Sequence, residues 1–386
     1  MPKFLDNLPI VLDGAMGTRL QMLGMPAGVC TPAWILDHPE TFLTVKRSYI
    51  DAGSDAIYAP TFGAIGPELK KHRIAMSVRE MNRNLVELAR EEANNCFVGG
   101  DIAPCGLQLY PVGTATFDDL IEVFTEQAAA LEEAGVDFFA VETQMSLAEC
   151  RTAVVAVRSV SDKPIIASFT CGNTGRTLYG EDLSAALVCL QDMGVSAFGI
   201  NCCGDLNLIA RLLGKMKPYA AIPLIAKPNA GEPVSSNGHS VYRMNSAKMS
   251  AYIPRFVANG ARLLGGCCGT DESYIAAVHE TLSAMDVPPF APAGPRAVAA
   301  SAYRVQELTP RIRIEELEID DDIVENASVI EAMGAKMLRL ELRDELDLDT
   351  LSEAQFSVRL PLVLHCTDEE LLKKFLRIYN GKPVVL

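Results

Sequence analysis

Short apolar runs and longer amphipathic stretches alternate through the first 286 residues of the chain. The runs are Ile10 to Asp13, Ala56 to Pro60, Phe97 to Asp101, Phe138 to Glu142, Ile165 to Thr170, Ala197 to Asn201, Pro223 to Lys227 and Leu263 to Gly266. Each is four to six residues long, as a buried strand requires, and each is followed by a stretch with helical period. In TFDDLIEVFTEQAAALEEAG, apolar positions recur every three or four residues and an Asp pair sits in the first turn. The phrases AGSDAIYA, AGVDFFAV, MGVSAFGI and NGARLLGG repeat one device, in which a glycine ends a helix and the next residues enter a strand. Eight βα units in about 280 residues predict a closed (β/α)8 TIM barrel and not an open doubly wound sheet.

The pattern changes at residue 287. Residues 287–302, VPPFAPAGPRAVAASA, carry four prolines and read as an extended linker. Residues 303–386 read as a small acidic α/β appendage. Between Arg311 and Asp349 there are 13 Asp or Glu against 5 Lys or Arg. The expected elements are a helix over 322–333, strands over 336–342 and 360–365, a helix over 368–379 and a last strand over 383–386.

A formal charge of −15 disfavours a nucleic-acid or anionic-membrane surface, since both reward basic faces. The start, MPKFLDNLPIVLDGAMG, lacks the apolar core of a secretory signal, and no stretch approaches the 18 to 20 apolar residues of a membrane span. The chain therefore reads as soluble and cytoplasmic. An oligomer is compatible with the barrel flank and the appendage as contact surfaces.

Eleven cysteines is a high count, and an odd one, in a large chain with no export signal, so a disulfide framework is not expected. Seven are isolated and read as small buried hydrophobes. Cys202-Cys203 and Cys267-Cys268 are adjacent pairs flanked by glycine. In a barrel of this kind the reacting groups gather at the C-terminal ends of the strands. Asp13, Glu142, Asn201 and Cys202 close the first, fourth and sixth runs. Asn229 follows the seventh, and Cys267 and Cys268 follow the eighth. The sixth, seventh and eighth strands are neighbours, so Cys202, Cys267 and Cys268 can meet. Three thiolates with one open corner suit a catalytic zinc. A vicinal pair reaches one metal only if the chain turns, which Gly265, Gly266 and Gly269 permit. A vicinal disulfide or plain core packing remains a reading of the same residues, and Cys203 is expected to face away. The Gly14–Thr18 turn, with Ala15 and Gly17, offers backbone N–H groups to a carboxylate, while Asp13 and Glu142 suit an ammonium. Together these form a site for the zwitterionic end of an amino acid.

LDGAMGT, SYIDAGSDAIYAPTFGA, GDIAPCG, AVET, GINCC, KPNAG and GGCCGT, taken in order over about residues 8 to 285, resemble the homocysteine S-methyltransferase family. The likeness is closest to the homocysteine-binding module of cobalamin-dependent methionine synthases. It implies that Cys202, Cys267 and Cys268 bind Zn2+, and that Asp13 and Glu142 hold the homocysteine amino group beside the turn of Gly14, Ala15, Gly17 and Thr18. It also implies that Asn229 fills the fourth zinc position without substrate. The implied reaction gives methionine, with a methylcorrinoid protein as donor. S-Methylmethionine, S-adenosylmethionine and betaine are alternative donors, and a non-catalytic zinc-binding subunit is the alternative of another class. Pro60 replaces the Asn of the family's usual T-N-T-F, which puts the loop after strand two in question. The appendage resembles early pieces of the folate-binding barrel of methionine synthases. Arg339, Glu341, His365 and Leu386 stand where Asp or Asn would be expected, so no methyltetrahydrofolate binding is predicted there.

Overall fold

The computed structural model describes residues 3–236 and 239–386. Eight parallel strands build the first part: β1 (Ile10–Val11), β2 (Ala56–Tyr58), β3 (Phe97–Ile102), β4 (Phe138–Gln144), β5 (Ile165–Phe169), β6 (Ala197–Asn201), β7 (Leu224–Lys227) and β8 (Ala261–Leu264). From β2 to β8 each pairs with the next, β8 pairs with β1, and a parallel bridge between Leu12 and Ala56 closes the ring. This is the expected (β/α)8 barrel. Most strand residues are buried on both faces, which is why the strands read as continuous apolar runs and not as alternating ones.

The interior is filled by Leu12, Tyr58, Phe138, Ile166, Ile225 and Leu263, and Phe4 plugs the N-terminal end by stacking on Phe138 at 3.9 Å. Gly99 makes room for that stack, because a Cβ there would lie 2.4 Å from the Phe138 ring. The surrounding helices begin where the sequence places caps. Helix Phe117–Glu133 opens with a reciprocal capping box between Thr116 and Asp119. Gly53, Gly135, Gly194 and Gly260, from the four repeated phrases, all adopt left-handed φ between +80° and +101°.

The remainder holds a second parallel sheet: β9 (Ile314–Glu316), β10 (Met337–Glu341), β11 (Leu362–His365) and β12 (Val384–Val385). Helices Ile323–Ala332, Glu345–Ala354 and Glu369–Ile378 connect the strands. The strand at β9 and the helix over Glu345–Ala354 are additions to the sequence reading. The linker also ends earlier than expected. Val298–Ala300 pairs antiparallel with Val305–Glu307, because Ala299 and Ala300 are apolar enough to be buried completely between the two sheets. One side of this hairpin packs on Ala185 and Val188 of the barrel, the other on Met337 and Val363 of the second sheet. Arg151, buried in helix Leu147–Val160, completes the junction. Its guanidinium donates to the Leu376 and Arg377 carbonyls at 2.9 and 3.2 Å and to Asn380 Oδ1 at 3.4 Å.

Candidate metal and substrate site

Two local devices place the three cysteines. At the end of β6 the backbone of Cys202 is left-handed, with φ +55°. A non-glycine residue adopts that conformation only under constraint. Here the Cys202 N–H donates to the Lys227 carbonyl at 3.2 Å and the Cys202 carbonyl accepts from Thr170 Oγ1 at 3.1 Å. This break in strand geometry separates Cys202 from Cys203, which is buried beside Cys171 and is not among the clustered cysteines. After β8 the chain turns at once. The Cys267 carbonyl accepts from the Thr270 N–H at 3.1 Å and from Thr270 Oγ1 at 2.7 Å, and Gly269 has φ +79°. The turn lets both members of the vicinal pair face inward.

The Sγ atoms of Cys202, Cys267 and Cys268 all lie within 4.8 Å of one another, and Cys202 Sγ is 3.7 Å from Cys268 Sγ. As free thiols they share protons. Hydrogen bonding from Cys202 draws Cys268 far down, whereas hydrogen bonds with Cys267 and then Cys268 push Cys202 up. Asn229, on the segment after β7, is threaded between the two cysteine segments. Its N–H donates to the Cys203 carbonyl at 2.9 Å, and that of Ala230 to the Cys268 carbonyl at 2.9 Å. The Asn229 Oδ1 atom is buried and, among the described residues, has no hydrogen-bond partner.

The glycine turn after β1 is laced to the cysteine turn. Ala15 N–H donates to Thr270 Oγ1 at 3.1 Å, Gly269 N–H to Thr18 Oγ1 at 3.0 Å and Gly266 N–H to the Asp13 carbonyl at 3.0 Å. Tyr49 clamps the pair by donating to the Ala15 carbonyl at 2.5 Å, and its ring occupies the space a Cβ at Gly14 would need. A cavity of roughly 400 Å³ opens over these turns, and Asp13, Gly14, Ala15, Gly17, Thr18, Glu142, Cys202, Cys267 and Cys268 all line it. Pro60 and Phe62, from the loop after β2, line its rim.

Several groups on the cavity wall carry no role in the sequence reading. Asp13 is buried and its Oδ2 accepts from Lys46 Nζ and from the Tyr58 N–H. Lys227 Nζ donates to Glu142 Oε2 at 3.1 Å, lies 3.9 Å from Asp13 Oδ1 and sits over the Tyr58 ring at 3.7 Å. Burial alone would lower the Lys227 pKa, but Glu142, Tyr58 and Asp13 together hold it well above the ordinary lysine value. Thr143, also left-handed at φ +59°, forms a bulge in β4 at Glu142. Asn201 fixes that bulge, accepting from the Thr143 N–H at 3.0 Å and donating to Thr143 Oγ1 at 2.7 Å. Lys227 was visible in the sequence as a cation inside an apolar run, and Asp101 as a strand-end acid inside GDIAPCG. Lys46 gave no such signal, because it lies on helix Pro39–Asp51 among other charged residues.

Among the described residues, no helix is long and apolar enough to cross a membrane. Residues 10–282 match the family model described as homocysteine S-methyltransferase. The chain is 29% identical over 293 residues to a methionine synthase of Mycobacterium tuberculosis, covering 71% of this chain and 24% of that one. It is also 29% identical over 290 residues to a methionine synthase of Mycobacterium leprae, with 70% and 24% covered. The chain thus spans about a quarter of the length of the curated relatives it matches. The metallated form of the homocysteine methyltransferase MmuM from Escherichia coli superposes with a TM-score of 0.61 at 24% identity, covering 71% of this chain and 96% of that one.

Proposed function

The chain belongs to the homocysteine S-methyltransferase family, and from that footing we propose that it transfers a methyl group to the sulfur of homocysteine, giving methionine, at a zinc ion held by Cys202, Cys267 and Cys268. The observation that carries the proposal is the convergence of three half-buried sulfurs on a cavity whose wall bears carboxylates. The residues fit the ion. Tetrahedral zinc with Zn–S bonds of about 2.3 Å sets its sulfurs about 3.8 Å apart, and the Cys202–Cys268 separation is 3.7 Å. The unpaired Asn229 Oδ1 supports a fourth ligand that yields to substrate. A metal there supplies a positive centre that favours the thiolate over the thiol, whose ordinary pKa of about 8.5 leaves it mostly protonated at neutral pH.

The protein's own residues then do three things. The cavity wall takes up the amino-acid end, with Glu142 and Asp13 facing the ammonium and the Gly14–Thr18 turn beside the carboxylate. Since Ala15 N–H is already bonded to Thr270, the remaining N–H groups of that turn are the ones free for the carboxylate. The lacing of the two turns fixes the distance between this end and the sulfurs, which is what an in-line methyl transfer demands. No side chain is required as a general base in the transfer itself. The likeness to methionine synthases favours a separate methylcorrinoid protein as donor.

The test is calorimetric titration of homocysteine into zinc-loaded wild type, Cys267→Ala and Cys268→Ala, with metal content and methionine formation measured on the same samples. Both variants are expected to lose metal, binding and turnover together. Full turnover without bound metal would end the proposal.

A further inference from the structure

Three carboxylates, Asp13, Asp101 and Glu142, and two ammonium groups, Lys46 and Lys227, share the cavity wall. The count leaves one negative charge without a partner. The hydrogen bonds identify where it falls. Asp13 is engaged by Lys46 and the Tyr58 N–H, and Glu142 by Lys227. Asp101 has neither kind of partner. It is only 6% exposed, it lines the cavity, and its Oδ1 has no hydrogen-bond partner among the described residues. Its backbone is held rigidly at the end of β3, with the N–H donating to Thr61 Oγ1 and the carbonyl accepting from it, both at 2.8 Å. A buried carboxylate oxygen left unpaired is costly, and such groups are retained where a ligand completes them. Burial, then the charge of Glu142, raises the Asp101 pKa well above the usual carboxylate range, so the empty site favours its protonated form and an arriving ammonium favours its ionised one.

We propose that Asp101 Oδ1 accepts a hydrogen bond from the α-ammonium of the thiol substrate, making Asp101 the residue that selects an amino-acid thiol over a simple thiol. An ammonium has three N–H donors. Asp101 Oδ1, the Glu142 oxygen not bonded to Lys227, and Asp13 Oδ1, which lies 3.9 Å from Lys227 Nζ, are the acceptors on this wall that remain for them. Of these only Asp101 has no cation bonded to its carboxylate, so it gains most from the ligand's charge. The assignment rests on the homocysteine reading above and adds a residue that reading does not use.

The experiment compares homocysteine with 4-mercaptobutyrate, which is homocysteine without its amino group, by titration into zinc-loaded full-length wild type and Asp101→Asn. The variant keeps the shape and removes the charge. Losing one charge-assisted hydrogen bond should weaken homocysteine binding about 10- to 100-fold. Affinity for 4-mercaptobutyrate and zinc content should stay as in the wild type. Equal weakening of both thiols, loss of zinc, or unchanged homocysteine affinity would overturn the assignment. Asp101→Ser, which leaves space for a water, makes the same comparison if the Asn variant does not fold. A wild type that binds neither thiol would overturn the homocysteine reading as well, whereas tight homocysteine binding unaltered in both variants would overturn this assignment alone.

Discussion

Glu181, in the loop before helix Leu183–Asp192, is a buried acid that does not line the cavity, and it makes stability depend on pH in a calculable way. Its carboxylate accepts from the Leu147 N–H at 2.9 Å and from Thr177 Oγ1 at 2.8 Å, with no cation bonded to it among the described residues. Burial outweighs these hydrogen bonds and raises its pKa from the ordinary 4.5 to about 7. In the unfolded chain the group returns to its ordinary value. Below that value both states hold the proton and the stabilisation is complete. Between the two values only the native state holds it, so unfolding free energy falls as pH rises, and above about 7 the contribution is gone. At 1.36 kcal/mol per tenfold in proton affinity the whole effect is about 3 kcal/mol. Spread over the unfolding entropy of a chain this size, it is worth roughly 4 °C in Tm. Glu181→Gln abolishes the titration. The Tm of the variant relative to wild type should therefore rise by that amount between pH 4.5 and pH 8, measured by calorimetry with zinc content held equal. A constant difference across that range would refute the reasoning.

Two other substitutions test the scaffold. Gly269→Ala forces an unfavourable left-handed φ, and its Cβ would lie 2.3 Å from Tyr242 Cγ; a strain of about 1–2 kcal/mol on the cysteine turn should weaken zinc retention roughly tenfold in a chelator competition. Arg151→Met removes every hydrogen bond this guanidinium gives to the chain ends at Leu376, Arg377 and Asn380; a loss of about 3 kcal/mol is expected, seen as faster proteolysis within residues 298–386, while zinc content is unchanged. Unaltered proteolysis would show that the junction does not depend on this guanidinium.

The barrel was legible because its strands are buried on both faces and its helix ends carry explicit caps and glycines, so local chemistry and fold agree. The Ala197–Asn201 strand falls where the apolar run lies, whereas β1 is only two residues long, with Leu12 bridging to Ala56 to close the ring and Asp13 lining the cavity. The second sheet was harder. Glu345–Ala354 is acidic and weakly amphipathic, and only the burial of Leu348, Leu351 and Ala354 against neighbouring helices shows why it folds. The cysteine cluster could be read from strand-end placement. The cation network could not, because Lys46 reaches Asp13 from a helix 33 residues away and its partner is set by closure of the barrel. The left-handed conformations at Cys202 and Thr143 likewise follow from tertiary hydrogen bonds and not from residue type.

X-ray absorption at the zinc edge, recorded on the zinc-loaded chain with and without homocysteine, addresses the central proposal directly. Three sulfurs and one oxygen or nitrogen at rest, becoming four sulfurs with homocysteine, is the predicted result. A coordination sphere with fewer than three sulfurs, or one that homocysteine leaves unchanged, would contradict it.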